Sequence, residues 1–398
     1  MRMSEVQHQP RAQRIIQQAL ASARMPHAYL FAGPEGVGKE MLAVGLAQTL
    51  LCASPVQTQT SPGSSGHSPA SFAAGDITAA ADACGDCQDC QLVQAGTHPD
   101  LYLIFRQLNR QHPDSTIRKR LALTFNVEVI RHFVIDRAGH RPSRGRAKVF
   151  IIREAERMND AAQNSLLKTL EEPPPDTFII LLTSAVDAML QTTRSRCQLV
   201  RFGLLPVDFV AEQIRALCPE AAPEAVAFAA RHAGGSLGQA LREIDDDIYT
   251  VKRAWGQRLV EVLRTGSGGS PHALAGPLEA DARALGKFIT DRDPDVSDTD
   301  AARAGIQTLL SLLGSFYLDA LRRSTGADLP PFNPDQAETV NWLAGEHGSE
   351  RLAVAIRELA RAESTIGRNA NIALALETLF IQLARLPATS ERTVAATR

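Results

Sequence analysis

The run Gly33-Pro34-Glu35-Gly36-Val37-Gly38-Lys39 constrains this chain more than any other feature. It fits the spacing G-x-x-x-x-G-K, and its flanks are those such a loop needs. Ala28-Tyr29-Leu30-Phe31-Ala32 before it reads as a short buried strand. Leu42, Leu46 and Leu50 after it fall on one face of an amphipathic helix. Backbone N–H groups of a glycine-rich strand-to-helix turn converge on phosphate oxygens, and the lysine reaches the outer phosphates. Gly33, Gly36, Gly38 and Lys39 are therefore candidate nucleotide-binding residues.

A strand that feeds such a loop needs parallel neighbours. Three more apolar runs, at 101–105, 148–152 and 178–183, alternate with helical segments, which predicts a parallel sheet with crossover helices. Ile15, Ile16 and Leu20 predict a helix over 11–25. At 398 residues the chain suits two or three domains. The first should end near Leu205-Pro206, followed by a small helical segment over 206–248 interrupted at Gly234-Gly235. Residues 249–398 read as helical, with loops at 265–271 and 290–300. Leu352, Ile356, Leu359 and Ile366 form one apolar stripe there, and Ile372, Leu376, Leu379, Leu383 and Leu386 another. Residues 53–80 are low in large apolar side chains and read as a low-complexity loop.

The loop lacks its metal chemistry. A Ser or Thr after the lysine ligates Mg²⁺ in active nucleotidases; here the residue is Glu40. The strand 148–152 should run into an Asp-Glu pair, the Asp holding Mg²⁺ and the Glu orienting water; here it runs into Arg153-Glu154. Two metal contacts are replaced together, so hydrolysis should be very slow or absent and ATP binding weak or absent. Glu40 and Arg153 either pair in the vacated metal position or point apart into solvent.

Cys84-x2-Cys87-x2-Cys90 puts three thiols within seven residues, and Cys52 at the end of the loop helix supplies a fourth. Four thiolates make a closed, structural Zn²⁺ site, here a module over 52–90. His98 is a rival fourth ligand, and Cys197 and Cys218 read as small buried residues. The polar N-terminus has no apolar core of a signal sequence, and no run of 18 apolar residues stands out. A cytoplasmic location without membrane attachment is therefore expected. The net charge of −2 argues against a uniformly basic nucleic-acid binder.

These residues resemble the bacterial clamp-loader subunits of the AAA+ family. The likeness rests on Pro26 to Phe31, the cysteine triplet running into Gln91-Leu92, and Ala95 to Asp100. It rests also on Asn164 to Pro174, on Ser195-Arg196-Cys197, and on Asn369-Ala370-Asn371 with Leu376-Glu377. It is strong over 11–205, weaker over 206–248 and faint from 249 to 360.

The resemblance implies an α/β AAA+ module with an inserted zinc module (1–205), a small helical lid (206–248) and an all-helical collar (249–398). It implies a hetero-pentameric ring with motor subunits and a delta subunit, which loads a sliding clamp at primer-template DNA. It also implies that Arg196 reaches in trans into a neighbour's ATP site. Motor subunits keep a lid arginine where this chain has Gly238. With Glu40 and Arg153, that departure is similar to the non-motor, delta-prime branch.

Two other readings compete. One is an active gamma/tau-like ATPase using Glu40 and Glu154 in an unusual metal site. The other is a zinc-dependent DNA-binding module, against which stand the acidic neighbours Asp82, Asp86 and Asp89. The basic residues at 106–120 and 137–148 read as a solvated charged face.

Overall fold

The structure, a computed structural model, describes residues 2–22, 24–57, 81–144, 146–264, 272–368 and 370–384. Most of the low-complexity run, the loop 265–271, Asn369 and Leu386 lie outside the described residues. The chain divides into two compact units, Met1–Pro206 and Val207–Arg398.

The described residues of the first unit form seven strands: β1 Ala28–Ala32, β2 Val56–Gln57, β3 Ala81–Asp82, β4 Leu101–Ile104, β5 Lys148–Ile152, β6 Thr177–Thr183 and β7 Gln198–Arg201. Five of them form one sheet in the order β4-β5-β6-β1-β7, parallel throughout. β2 and β3 pair antiparallel beside the cysteines. Every residue of β1 and β5 is buried, as apolar runs covered on both faces require. Phe150, Ile152, Leu166, Ile179 and Leu181 belong to one core under the sheet. Burying each such side chain contributes about 1.5–3 kcal/mol, so the strand ends that carry the site are held rigidly.

The helix after the loop, Lys39–Leu51, departs from the expected amphipathic pattern. It is buried almost all round, leaving only Met41 exposed. Its outer side is covered by remote residues. A Cβ on Gly45 would lie 2.9 Å from the Met3 backbone nitrogen, so a side chain there would collide with the short helix Met3–Glu5. The loop expected at 290–300 is shorter than read: one helix ends at Arg292 and the next begins at Asp298, capped by Ser297, whose hydroxyl accepts from Asp300 N at 3.1 Å.

The second unit is all-helical. Helices Val207–Leu217, Pro223–His232 and Leu237–Asp245 come first, the last two separated by Gly234 and Gly235 in left-handed conformations. Among the described residues six more α-helices follow: Ile248–Arg264, His272–Arg292, Asp298–Thr325, Ala337–Glu346, Ser349–Gly367 and Ile372–Ala384. Phe228 and Ile248 join the same core as Leu352, Leu359, Ile366, Leu376, Leu379 and Leu383. Helix Asp298–Thr325 is long and apolar enough to span a bilayer by composition, but 61% of that apolar window is buried in the protein. Leu309, Leu310, Leu312, Leu313 and Phe316 make it the central helix of this core.

Candidate functional site

Gly33 leads β1 into the loop, and Gly36 and Gly38 turn it at φ +71° and +97°, which disfavours any other residue. A Cβ on Gly33 would sit 2.7 Å from the Phe202 carbonyl oxygen, so the loop closes against the end of β7. Gln9 locks that closure: its amide donates to Val37 O at 3.1 Å and Gly203 O at 2.9 Å, and accepts from Gly203 N at 3.0 Å. Lys39 folds back on the loop and donates to the carbonyls of Gly33, at 2.6 Å, and Pro34. Burial pushes its pKa down, against the opposing charges of Glu156 and Glu35.

Glu40 lies in the first turn of helix Lys39–Leu51, where the helix dipole favours negative charge. Its carboxylate is ion-paired with the Arg153 guanidinium. Arg153 leaves the end of β5, with its backbone N–H bonded to Ile104 O at 2.9 Å and its guanidinium 6.0 Å from the Phe105 ring centre. Of the two arrangements left open by the sequence, the paired one is found.

Glu154 follows with a positive φ of 46°. Its carboxylate is held by Arg106, with Nε at 2.7 Å from Oε2 and Nη2 at 3.5 Å from Oε1, and by Arg157, with Nε at 2.9 Å from Oε1. Arg106 is 5% exposed, and its other terminal nitrogen donates to Ala122 O. Glu156 accepts from the Ser184 hydroxyl at 2.5 Å, while its Oε2 is buried without a hydrogen-bond partner. Sequence reasoning missed Arg106, Arg157, Glu156 and Ser184. Only Arg157 carried a signal, being three residues beyond Glu154 at an ion-pairing spacing.

Cys52, Cys84, Cys87 and Cys90 converge with all four sulfurs within 4.8 Å of one another. The separations are 3.4 Å for Cys52–Cys84 and 3.8 Å for both Cys52–Cys87 and Cys84–Cys90. A zinc–sulfur bond of about 2.3 Å sets ligand sulfurs about 3.8 Å apart in a tetrahedron, so the cluster fits Zn²⁺. Backbone N–H groups of Cys84, Cys87 and Cys90 point at the sulfurs of Cys52, Cys84 and Cys87, as negative thiolates require. Burial pushes the Cys52 thiol up and Cys90 up to about 11. At Cys87 burial is outweighed by the N–H groups of Cys90 and Ala53, which bring it down to about 7.

His98 is not a ligand. Its Nε2 faces Asp89 at 3.4 Å and its Nδ1 accepts from Asp100 N at 3.1 Å. Asp89 also pairs with Arg144, and Arg146 donates to the carbonyls of Cys52 and Ala53, fastening the cysteine module to the sheet. The reading of 106–120 and 137–148 as a solvated charged face holds for most of their Lys and Arg but needs correction at two residues. Arg106 is buried on Glu154. Lys148 is 1% exposed, donates to Arg137 O at 3.1 Å and also to the carbonyls of Ala138 and His140, and so caps a helix end. Cys197 packs against the core, and burial pushes its thiol up to about 12; Cys218 is half-buried.

Arg196 lies just past the one-turn helix Gln191–Arg194, on the first unit's surface. Its Nε donates to Glu171 at 2.6 Å and its Nη1 to Thr192 O at 2.9 Å.

The sequence matches the family described as DNA polymerase III, delta subunit, over residues 8–205, and its C-terminal family over 300–385. It is 30% identical over 262 residues to DNA polymerase III subunit delta' of Escherichia coli K12, covering 66% of this chain and 67% of the relative. It is 25% identical over 376 residues to the subunit delta' of Bacillus subtilis 168, covering 94% of this chain and 96% of that one. Subunit tau of Escherichia coli K12 is 30% identical over 233 residues, 58% of this chain and 30% of tau.

Proposed function

The chain belongs to the delta-prime family of DNA polymerase III clamp-loader subunits, and we propose that within that family it hydrolyses no ATP itself and supports hydrolysis by a neighbour. In this reading it takes a place in a hetero-pentameric ring with motor subunits and a delta subunit. The ring opens the sliding clamp and loads it at primer-template DNA in the cytoplasm. Residues 206–248 act as the lid and 249–398 as the collar. Zn²⁺ on Cys52, Cys84, Cys87 and Cys90 is structural.

The observation that carries the reading is the Glu40–Arg153 pair. Mg²⁺ in a phosphate loop needs oxygen ligands from two elements and neutralises charge on the phosphates. Here one ligand position carries a cation, and the other is a carboxylate already paired with it. The remaining acid, Glu154, is bound by Arg106 and Arg157 and is not free to orient water. Lys39 is engaged by the loop's own carbonyls. Nucleotide binding is accordingly weak or absent.

Arg196 is the residue proposed to act in trans. Arginines of this kind contribute about 10³–10⁵ in rate in related nucleotide hydrolases. The test is ATP turnover by a ring rebuilt with its motor subunits, comparing the natural chain with Arg196→Ala. A large fall in rate with assembly intact supports the reading; an unchanged rate refutes the donated arginine.

A further inference from the structure

We propose that Glu171 positions Arg196 for the neighbouring nucleotide site. The inference rests on the role proposed for Arg196 above and adds the residue that aims it.

The backbone around Arg196 is fixed from both sides. Thr193, fully buried, anchors the one-turn helix before it, and Cys197 packs against the core after it. Arg196 N bonds to Thr193 O at 3.2 Å and Cys197 N to Arg194 O at 3.3 Å, closing the turn. Only the side chain is left to be placed, and two acceptors place it. Glu171 Oε1 accepts from Nε at 2.6 Å and pairs with Nη2 as well; the Thr192 carbonyl accepts from Nη1 at 2.9 Å. Ser195 Oγ lies 3.5 Å from Nη1. Glu171 itself is fixed as the last residue of helix Asp160–Glu171, whose Leu166 and Leu170 are buried in the core.

The exposure of the pair decides what it is for. The side chains are 32% and 47% exposed, and ion pairs this accessible contribute little to stability. What the pair does is remove rotamer freedom from a long cation before a partner arrives, which lowers the cost of using that cation on a developing charge. The guanidinium has five N–H donors; Glu171 takes that of Nε and one of Nη2, and the Thr192 carbonyl takes one of Nη1, so at most one N–H on each terminal nitrogen remains for an incoming oxyanion. Glu171 is thus a positioning residue, acting through Arg196 without touching the nucleotide.

The test uses rings rebuilt with the motor subunits and four forms of this chain: natural, Glu171→Gln, Arg196→Ala and the double variant. The expected result is a fall in kcat of about ten- to a hundredfold for Glu171→Gln, the upper end being what a misplacement of about 1 Å can cost, with KM and the thermal midpoint unchanged. In the Arg196→Ala background the same change should have no further effect, because its whole influence runs through that side chain. Glu171→Asp, which keeps the carboxylate, should recover part of the rate. A kcat that is unchanged or raised by Glu171→Gln, or a loss that persists without Arg196, overturns the inference and leaves the role of Arg196 standing. A ring that keeps its full rate with Arg196→Ala overturns that role, and this inference with it.

Discussion

Arg153 donates from Nη2 to Glu40 Oε1, so the two side chains that replace the expected metal ligands of the loop motif neutralise each other. They are 40% and 41% exposed, which sets the expected energetics. Either alanine variant should change unfolding free energy by about 1 kcal/mol or less, read from denaturant melts. Glu40→Thr combined with Arg153→Asp restores both oxygen ligands. That variant should bind a fluorescent ATP analogue in a Mg²⁺-dependent way that the natural chain does not show.

The four thiols predict one zinc per chain by metal analysis, lost in Cys84→Ser. Removing the metal with a chelator should raise amide exchange across Gln88–Gln94, the helix whose N-cap is Cys87 and whose first turn carries Cys90. Amides of β5 and β6 should stay protected, because their core does not include the cysteines.

Asp82 ties the first residues of the described chain to the cysteine module. It is 3% exposed and accepts from Met3 N at 3.1 Å, Ser4 N at 3.0 Å and Ala83 N at 2.8 Å. Asp82→Ala leaves those donors unsatisfied and should cost about 1–3 kcal/mol. Because residues 3–9 continue to the loop through Gln9, amide exchange at Val37 and Gly38 should rise in the same variant.

Lys252 is fully buried between Phe228 and Tyr249, with Asp335 oxygens at 2.7 and 2.8 Å. Asp335→Ala leaves that charge without its partner and should destabilise by about 3–5 kcal/mol near neutral pH. Burial holds the Lys252 pKa below its ordinary value, against the pull of Asp335. The unfolded chain therefore binds more protons at this site, and its contribution to stability rises with pH toward the unfolded lysine value. Losing Asp335 lowers the folded pKa further, so the variant should recover more stability between neutral and alkaline pH than the natural chain does.

Local pattern made much of this legible. The glycines and lysine of the loop, the bounds of β1 and β5, and the cysteine tetrad all follow from residue type and spacing. Glu40 and Arg153 were recognisable as replacements because each occupies a fixed offset in a motif; their pairing required the β5 and loop ends to meet in space. β7 was not read as a strand. It is an edge strand of four residues in which only Val200 is buried, so it carries almost no periodic signal. Arg106 is 48 residues from Glu154, and no local spacing reports that contact. The enclosure of helix Lys39–Leu51 depends on residues from other parts of the chain, which its own periodicity cannot reveal.

The most direct test is ATP turnover by the purified chain alone, with Mg²⁺ and with a chelator present. No Mg²⁺-dependent turnover is predicted, because Arg153 fills one metal position and Arg106 with Arg157 hold the remaining acid. Sustained Mg²⁺-dependent turnover would contradict the account and make the chain an active ATPase whose Glu40–Arg153 pair opens when nucleotide binds.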